Sequence, residues 1–166
     1  HAALTVTADN KTRAYGSSNP VLTGTMPGVQ NNDNITISYS TTALTSSPAG
    51  AYAIAPTLVD PDGKSGNYTV TTNNGTLSVT TVVLVATADN KARTYGAANP
   101  SFTGTITGLQ NNDNITATFS TSSTASSAVG SYSIVPALVD PNNKLGNYSV
   151  KLNNGTLSVT GAPLTV

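Results

Sequence analysis

The sequence predicts an all-β chain built as two tandem small β-sandwich modules of the immunoglobulin-like kind. Composition is the first of three observations behind that prediction. The chain holds 28 Thr, 18 Ser and 18 Asn among 166 residues, no Glu, one Met and two Gln. Straight-chain helix formers are therefore scarce, while Thr and Val fit strands. Duplication is the second observation. Residues 4–80 and 84–160 align at a constant offset of 80 without a gap, with 47 identities in 77 positions. The third is period-two alternation of apolar with Thr and Ser residues, the pattern of a sheet with one wet face.

Each unit yields six strands in order. Leu4-Val6-Ala8 opens the unit, and a short strand runs around Leu22 to Met26. Ile35-Ile37-Tyr39, Tyr52-Ile54-Leu58, Tyr68-Val70 and Leu77-Val79 follow. Met26-Pro27-Gly28-Val29 reads as a type II turn, with Pro fixing φ and Gly taking the positive one. The last two strands, Tyr68–Thr72 and Thr76–Thr80, read as a hairpin around Asn73-Asn74-Gly75, because Asn-Gly supplies the positive φ angles of a tight turn. Asn153-Asn154-Gly155 repeats it. Asp60-Pro61 and Asp140-Pro141 open a helical turn that Gly66 and Gly146 close. If segments 60–66 and 140–146 form a true helix under the sheet, the unit is β-grasp-like instead.

The boundaries follow from the alignment: a first repeat over 1–81, a second over 82–161, and the start of a third at 162–166. Leu164-Thr165-Val166 echoes Leu4-Thr5-Val6 160 residues later, so a slice of a longer tandem array is expected. The joint Thr80-Thr81-Val82-Val83-Leu84 contains neither Gly nor Pro. Such a joint favours a restricted angle and a rod. Expected partners are neighbouring repeats of the same chain, with the fragment itself a monomer.

Charge and reactive residues exclude several functions. Seven Asp balance seven Lys and Arg, so the clustered basic charge that nucleic acid or an anionic membrane requires is missing. No apolar run approaches the ~20 residues of a membrane span. No leader is visible, so an export signal is expected outside this fragment. With no Cys and only His1, neither a Ser-His-Asp nor a Cys-His apparatus can be assembled. The expectation is a protein that is not an enzyme and has no cofactor.

Four sets of residues could still carry chemistry. For Ca²⁺ the oxygen-rich candidates are Asp60, Asp62 and Asn67, with Asp140, Asn142 and Asn147 in the second copy. Hard cations want six to eight oxygens and several carboxylates, whereas these loops offer two Asp and one; turn-forming Asx chemistry explains them as well. Asn31-Asn32-Asp33-Asn34 is similar. Lys11, with Asp9 and Asn10, has the residue types of an intramolecular Lys–Asn amide crosslink, yet sequence neighbours cannot all point into one core. Seven N-x-Ser/Thr triplets begin at Asn10, Asn34, Asn67, Asn74, Asn114, Asn147 and Asn154, as a chain rich in Asn and Thr produces without selection for glycosylation. The aromatics Tyr15, Tyr39, Tyr52 and Tyr68, with Tyr95, Phe119, Tyr132 and Tyr148, alternate with Ile and Val and are expected in the core or at corners.

One string ties both copies to a family. ADNK-x-R-x-YG-x-x-NP is followed by G-[VL]-QNNDNIT, G-x-Y-x-I and GNY-x-V-(x)4-GTLSVT. It resembles the MBG repeat of bacterial surface proteins, of the type with a YG signature, here Tyr15-Gly16 and Tyr95-Gly96. The resemblance implies a tandem stalk-type module of a large secreted or surface-anchored, adhesin-like protein, extracellular and without transferable catalytic or binding residues. A spacer that projects another domain is the leading expectation. A weak multivalent adhesive or carbohydrate-binding module, with a glycan or host-matrix ligand, is the alternative.

Overall fold

The computed structural model describes residues 1–164. It divides into two compact units, His1–Thr81 and Val82–Val166. Thr165 and Val166, two of the three residues that echo the first strand, lie outside the described residues.

The first unit contains seven strands: β1 (Ala2–Ala8), β2 (Lys11–Ala14), β3 (Gly24–Thr25), β4 (Thr36–Ser40), β5 (Gly50–Val59), β6 (Tyr68–Asn73) and β7 (Gly75–Thr80). They form two sheets, ordered β3-β1-β6 and β2-β7-β5-β4. The second unit repeats this with β8 (Val82–Ala88), β9 (Lys91–Thr94), β10 (Gly104–Thr107), β11 (Thr116–Ser120), β12 (Gly130–Val139), β13 (Tyr148–Asn153) and β14 (Gly155–Thr160), ordered β10-β8-β13 and β11-β12-β14-β9. The chain is all-β and made of two tandem β modules.

The alternation expected from the sequence sets the core. Leu4, Val6 and Ala8 of β1 are buried, as are Ile54 of β5 and Leu77 and Val79 of β7. Leu22, Tyr39 and Tyr52 pack against the cluster of Ala8, Ala43, Ile54 and Leu77. A second cluster joins Leu4, Ile35 and Tyr68 to Met26, Val29 and Leu58. β5 serves two neighbours in turn. Its first half pairs with β7 (Gly50↔Val79 to Ile54↔Gly75) and its second with β4 (Ala55↔Ser40 to Val59↔Thr36). Pro56 falls in the half that has a single neighbour, where a strand tolerates the missing N–H.

The expected final hairpin does not form. β6 runs parallel to β1 in one sheet, while β7 runs parallel to β2 and antiparallel to β5 in the other. Asn74 is therefore a crossing between sheets. None of Asn73, Asn74 and Gly75 takes a positive φ. Glycine is needed for a different reason: a Cβ on Gly75 would stand 2.5 Å from Asp9 O and 2.8 Å from Ala8 O. β1 makes the same change of sheet at Asp9-Asn10, so the two crossings lie side by side. Asn10 Oδ1 accepts the Thr76 N–H at 2.8 Å, and Asn73 Nδ2 donates to Thr7 Oγ1 at 3.1 Å.

Three smaller expectations also change. Lys11–Ala14 is a strand that its charges disguised, which brings the count to seven per unit. In β6 only Tyr68 is buried and alternation stops, because this strand borders β1 alone. The helical turn shrinks to a three-residue 3-10 helix at Ser65–Asn67, and at Leu145–Asn147 in the second unit. Nothing that short can underlie a sheet, so the β-grasp alternative falls.

Candidate functional site

The polar residues shared by the two units converge on four places. The first is β2 and the turn after it. Arg13 is 6 % exposed. Its Nε donates to Asn19 Oδ1 at 2.7 Å, Nη1 donates to Ala14 O at 3.1 Å, and Nη2 donates to Leu44 O. Asn19 Nδ2 donates to Ala43 O at 2.6 Å. A buried guanidinium without a carboxylate is tolerated only when fixed acceptors replace its water. Arg93 repeats the arrangement with Asn99 Oδ1, Thr94 O and Thr124 O, and adds Ser123 Oγ at 3.1 Å. Between Arg and Asn, Tyr15-Gly16 is the centre of a type II turn: Gly16 has φ 81°, and the Ser17 N–H donates to Ala14 O at 3.2 Å.

The second place is the QNNDN turn. Asn31 and Asn32 both lie in the left-handed region, at φ 54° and 53°. The Asp33 N–H closes on Gln30 O at 2.9 Å, giving a type I′ turn, which Asn tolerates better than other side chains. The Tyr68 hydroxyl donates to Asp33 Oδ2 at 2.7 Å and accepts the Gln30 N–H at 2.9 Å. The hydrogen bond to Asp33, helped by desolvation, pushes the phenol above its ordinary value. Asn31, Asn32 and Asn34 stay exposed.

The third is the Asp-Pro loop. Asp60 Oδ1 accepts the Lys64 N–H at 2.9 Å and Oδ2 accepts the Ser65 N–H at 2.6 Å. These two N–H groups hold the carboxyl below the usual carboxylate range against a smaller opposing effect of desolvation. Asp140 Oδ2 accepts the Leu145 N–H at 2.8 Å. Its buried Oδ1 closes no hydrogen bond, yet the Lys144 N–H remains the largest influence lowering its pKa.

The calcium candidates are thus distributed as follows. Asp60 and Asp140 accept from the loop's own backbone, Asp62, Asn67 and Asn142 are exposed, and Asn147 is buried. Among the described residues, no three His, Cys, Asp or Glu side chains come together, and no cleft or cavity forms. The fourth place is the crossing near Asn10. Lys11 Nζ lies 3.8 Å from Asp9 Oδ2 as a half-exposed surface pair, outside any core where an amide crosslink would form. Of the aromatics, Tyr15, Tyr68 and Tyr148 are buried, while Tyr39, Tyr52, Phe119 and Tyr132 pack at the edges of the clusters. Tyr95 is 48 % exposed. Of the N-x-Ser/Thr asparagines, Asn147 is buried and the other six are exposed.

Sequence reasoning missed the Arg13–Asn19 fastener. A signal was present: one of only seven cations, spaced six residues from an Asn and retained in both copies together with it.

These features define a class: a small two-sheet repeat domain whose shared polar motifs hold its own turns and crossings. The chain belongs to the MBG domain (YGX type) family, whose profile matches residues 4–78 and 84–158. A comparison with curated proteins finds no match. Among solved structures, Drosophila N-cadherin EC1-4 is similar at TM-score 0.36 and 9 % identity, over 96 % of this chain and 51 % of that one. The chain spans about half the length of that structure, and so weak a likeness carries no argument.

Proposed function

We propose that the chain is a non-catalytic spacer, part of the stalk of a large bacterial cell-surface or secreted adhesin-like protein, acting outside the cell. One observation carries this reading. Five polar residues that the two tandem units share, Arg13, Asn19, Asp33, Asp60 and Asn10, are engaged in fixing turns, loops and crossings. A reactive centre would instead leave such groups poised towards solvent or a cleft. The joint supports it too: Thr81 alone separates β7 from β8. The partners in this reading are neighbouring repeats. Small-angle scattering tests it, comparing the chain with a variant carrying ten Gly and Ser residues after Thr81. The proposal expects a narrower distribution of maximum dimensions for the native joint. Equal distributions refute it.

A second reading rests on the exposed Asn31, Asn32 and Asn34 and on Asn111, Asn112 and Asn114, which both units present on the same turn. Many copies of a weak glycan- or matrix-binding turn bind through avidity. Saturable binding of bead-displayed chains to glycans or matrix proteins, lost on replacing Asn34 and Asn114 by Ala, supports that reading over the passive spacer.

A further inference from the structure

We infer that each unit is a shear clamp, a module that resists tension applied through its two ends. In a tandem chain, force enters the first unit at the start of β1 and leaves it at the end of β7. β1 lies parallel to β6 in six register pairs, Ala2↔Tyr68 to Thr7↔Asn73, and β2 lies parallel to β7 in four, Lys11↔Leu77 to Ala14↔Thr80. Tension draws β1 and β2 towards their amino ends, and β6 and β7 towards their carboxyl ends. Parallel partners then slide along each other, with the load across the inter-strand hydrogen bonds. The bonds of a ladder share that load and fail together. A terminal hairpin would open one rung at a time.

The side chains reinforce the same direction. Asn73 to Thr7 and the Thr76 N–H to Asn10 stitch the crossings, while Thr80 Oγ1 donates to Arg13 O at 3.3 Å and the Tyr15 N–H donates to Thr80 O at 2.9 Å. Arg13 anchors β2 to the carbonyl of Leu44, far from either end of the unit. Sliding β2 also drags that buried guanidinium from its acceptors. The second unit has the same ladders, Tyr148↔Val82 to Asn153↔Thr87 and Leu157↔Lys91 to Thr160↔Thr94. The clamp follows from this topology alone; its use as a tension-bearing element rests on the stalk reading.

Single-molecule force spectroscopy on the whole chain tests the clamp by changing only the direction of pull. The chain has no cysteine, so Thr36→Cys with Val59→Cys gives unique handles. Those residues are register partners at the open end of the β4–β5 pair, where pulling unzips rungs in sequence. Rupture through the chain ends is expected to need at least about twice the force of first rupture through 36 and 59, since forced unfolding follows the barrier along the pulled direction. Equal or lower force through the ends overturns the inference. A floppy joint in scattering with a high force ratio would remove the stalk and leave the clamp; a stiff joint with no ratio would do the reverse.

Discussion

Replacing Arg13 by Met should unfold the first unit or bring it close to unfolding. The side chain makes three charge-assisted hydrogen bonds, to Asn19 Oδ1, Ala14 O and Leu44 O, from a 6 % exposed position. Bonds to a charged group contribute about 1.5–3 kcal/mol each. Removing the guanidinium relieves its desolvation but leaves buried neutral acceptors unpaired, at about 1–3 kcal/mol for each that stays dry, so the net loss is about 3–5 kcal/mol. At ~0.05–0.15 kcal/mol per residue, a unit of about 80 residues is stable by roughly 4–12 kcal/mol. The change is therefore comparable to the whole. Lys should not rescue it, because an ammonium cannot span three acceptors held in a plane. Hydrogen exchange read by mass spectrometry, peptide by peptide, separates the units, and urea unfolding followed by circular dichroism gives the free energy. Loss of protection within 2–80, with 84–160 intact, is the expected result. A variant within about 0.5 kcal/mol of the parent, the scatter of an ordinary surface change, would refute the reasoning that Arg13 is a fastener.

Gly75→Ala should lower the unfolding free energy by about 1–3 kcal/mol, because the added carbon meets backbone at 2.5 Å that cannot rotate away. Gly66→Ala, with open space around it and no positive φ, is the control and should stay within about 0.5 kcal/mol. The depressed Asp60 and Asp140 carboxyls stabilise the fold above their unfolded pKa, and that contribution is lost as pH falls through the folded values; urea midpoints between pH 2 and 6 should show this acid slope, Asp60→Asn should reduce it, and Asp60→Asn with Asp140→Asn should reduce it further. Replacing EDTA by millimolar Ca²⁺ should leave the melting temperature unchanged, since Asp60 already accepts two backbone N–H groups; a clear rise would reopen 60–67 as a cation site.

The fold class and the core strands β1, β5 and β7 were legible because alternation and burial coincide in them. Topology was less so, and Asn-Gly shows why. Glycine after asparagine serves a left-handed turn or a close backbone approach, and only the partner strand tells which. Here the left-handed pair is Asn31-Asn32, read from sequence merely as an oxygen-rich stretch. Lys11–Ala14 shows no apolar alternation because its charges signal solvent, while Arg13 and Asn19 are satisfied by the carbonyls of residues 44 and 43. Such distant acceptors leave no local pattern. In the Asp-Pro loop the pattern is local, since Asp60 accepts from the N–H groups four and five residues on.

The side-by-side crossings also set the order in which the chain can acquire structure. Leu4 finds its parallel neighbour Val70 only after 66 further residues exist, and Ala14 must wait for Thr80. The unit therefore has no stable half: its opening strands are held by its closing ones, and pairing so distant in sequence is slow. The second unit presents an almost identical set, with Val150 beside Leu84 as Val70 is beside Leu4. Exchanged pairing between copies is a trap open to such repeats. Vectorial synthesis at ~5–20 residues per second keeps them apart, because the strands that close the first unit emerge several seconds before their counterparts in the second.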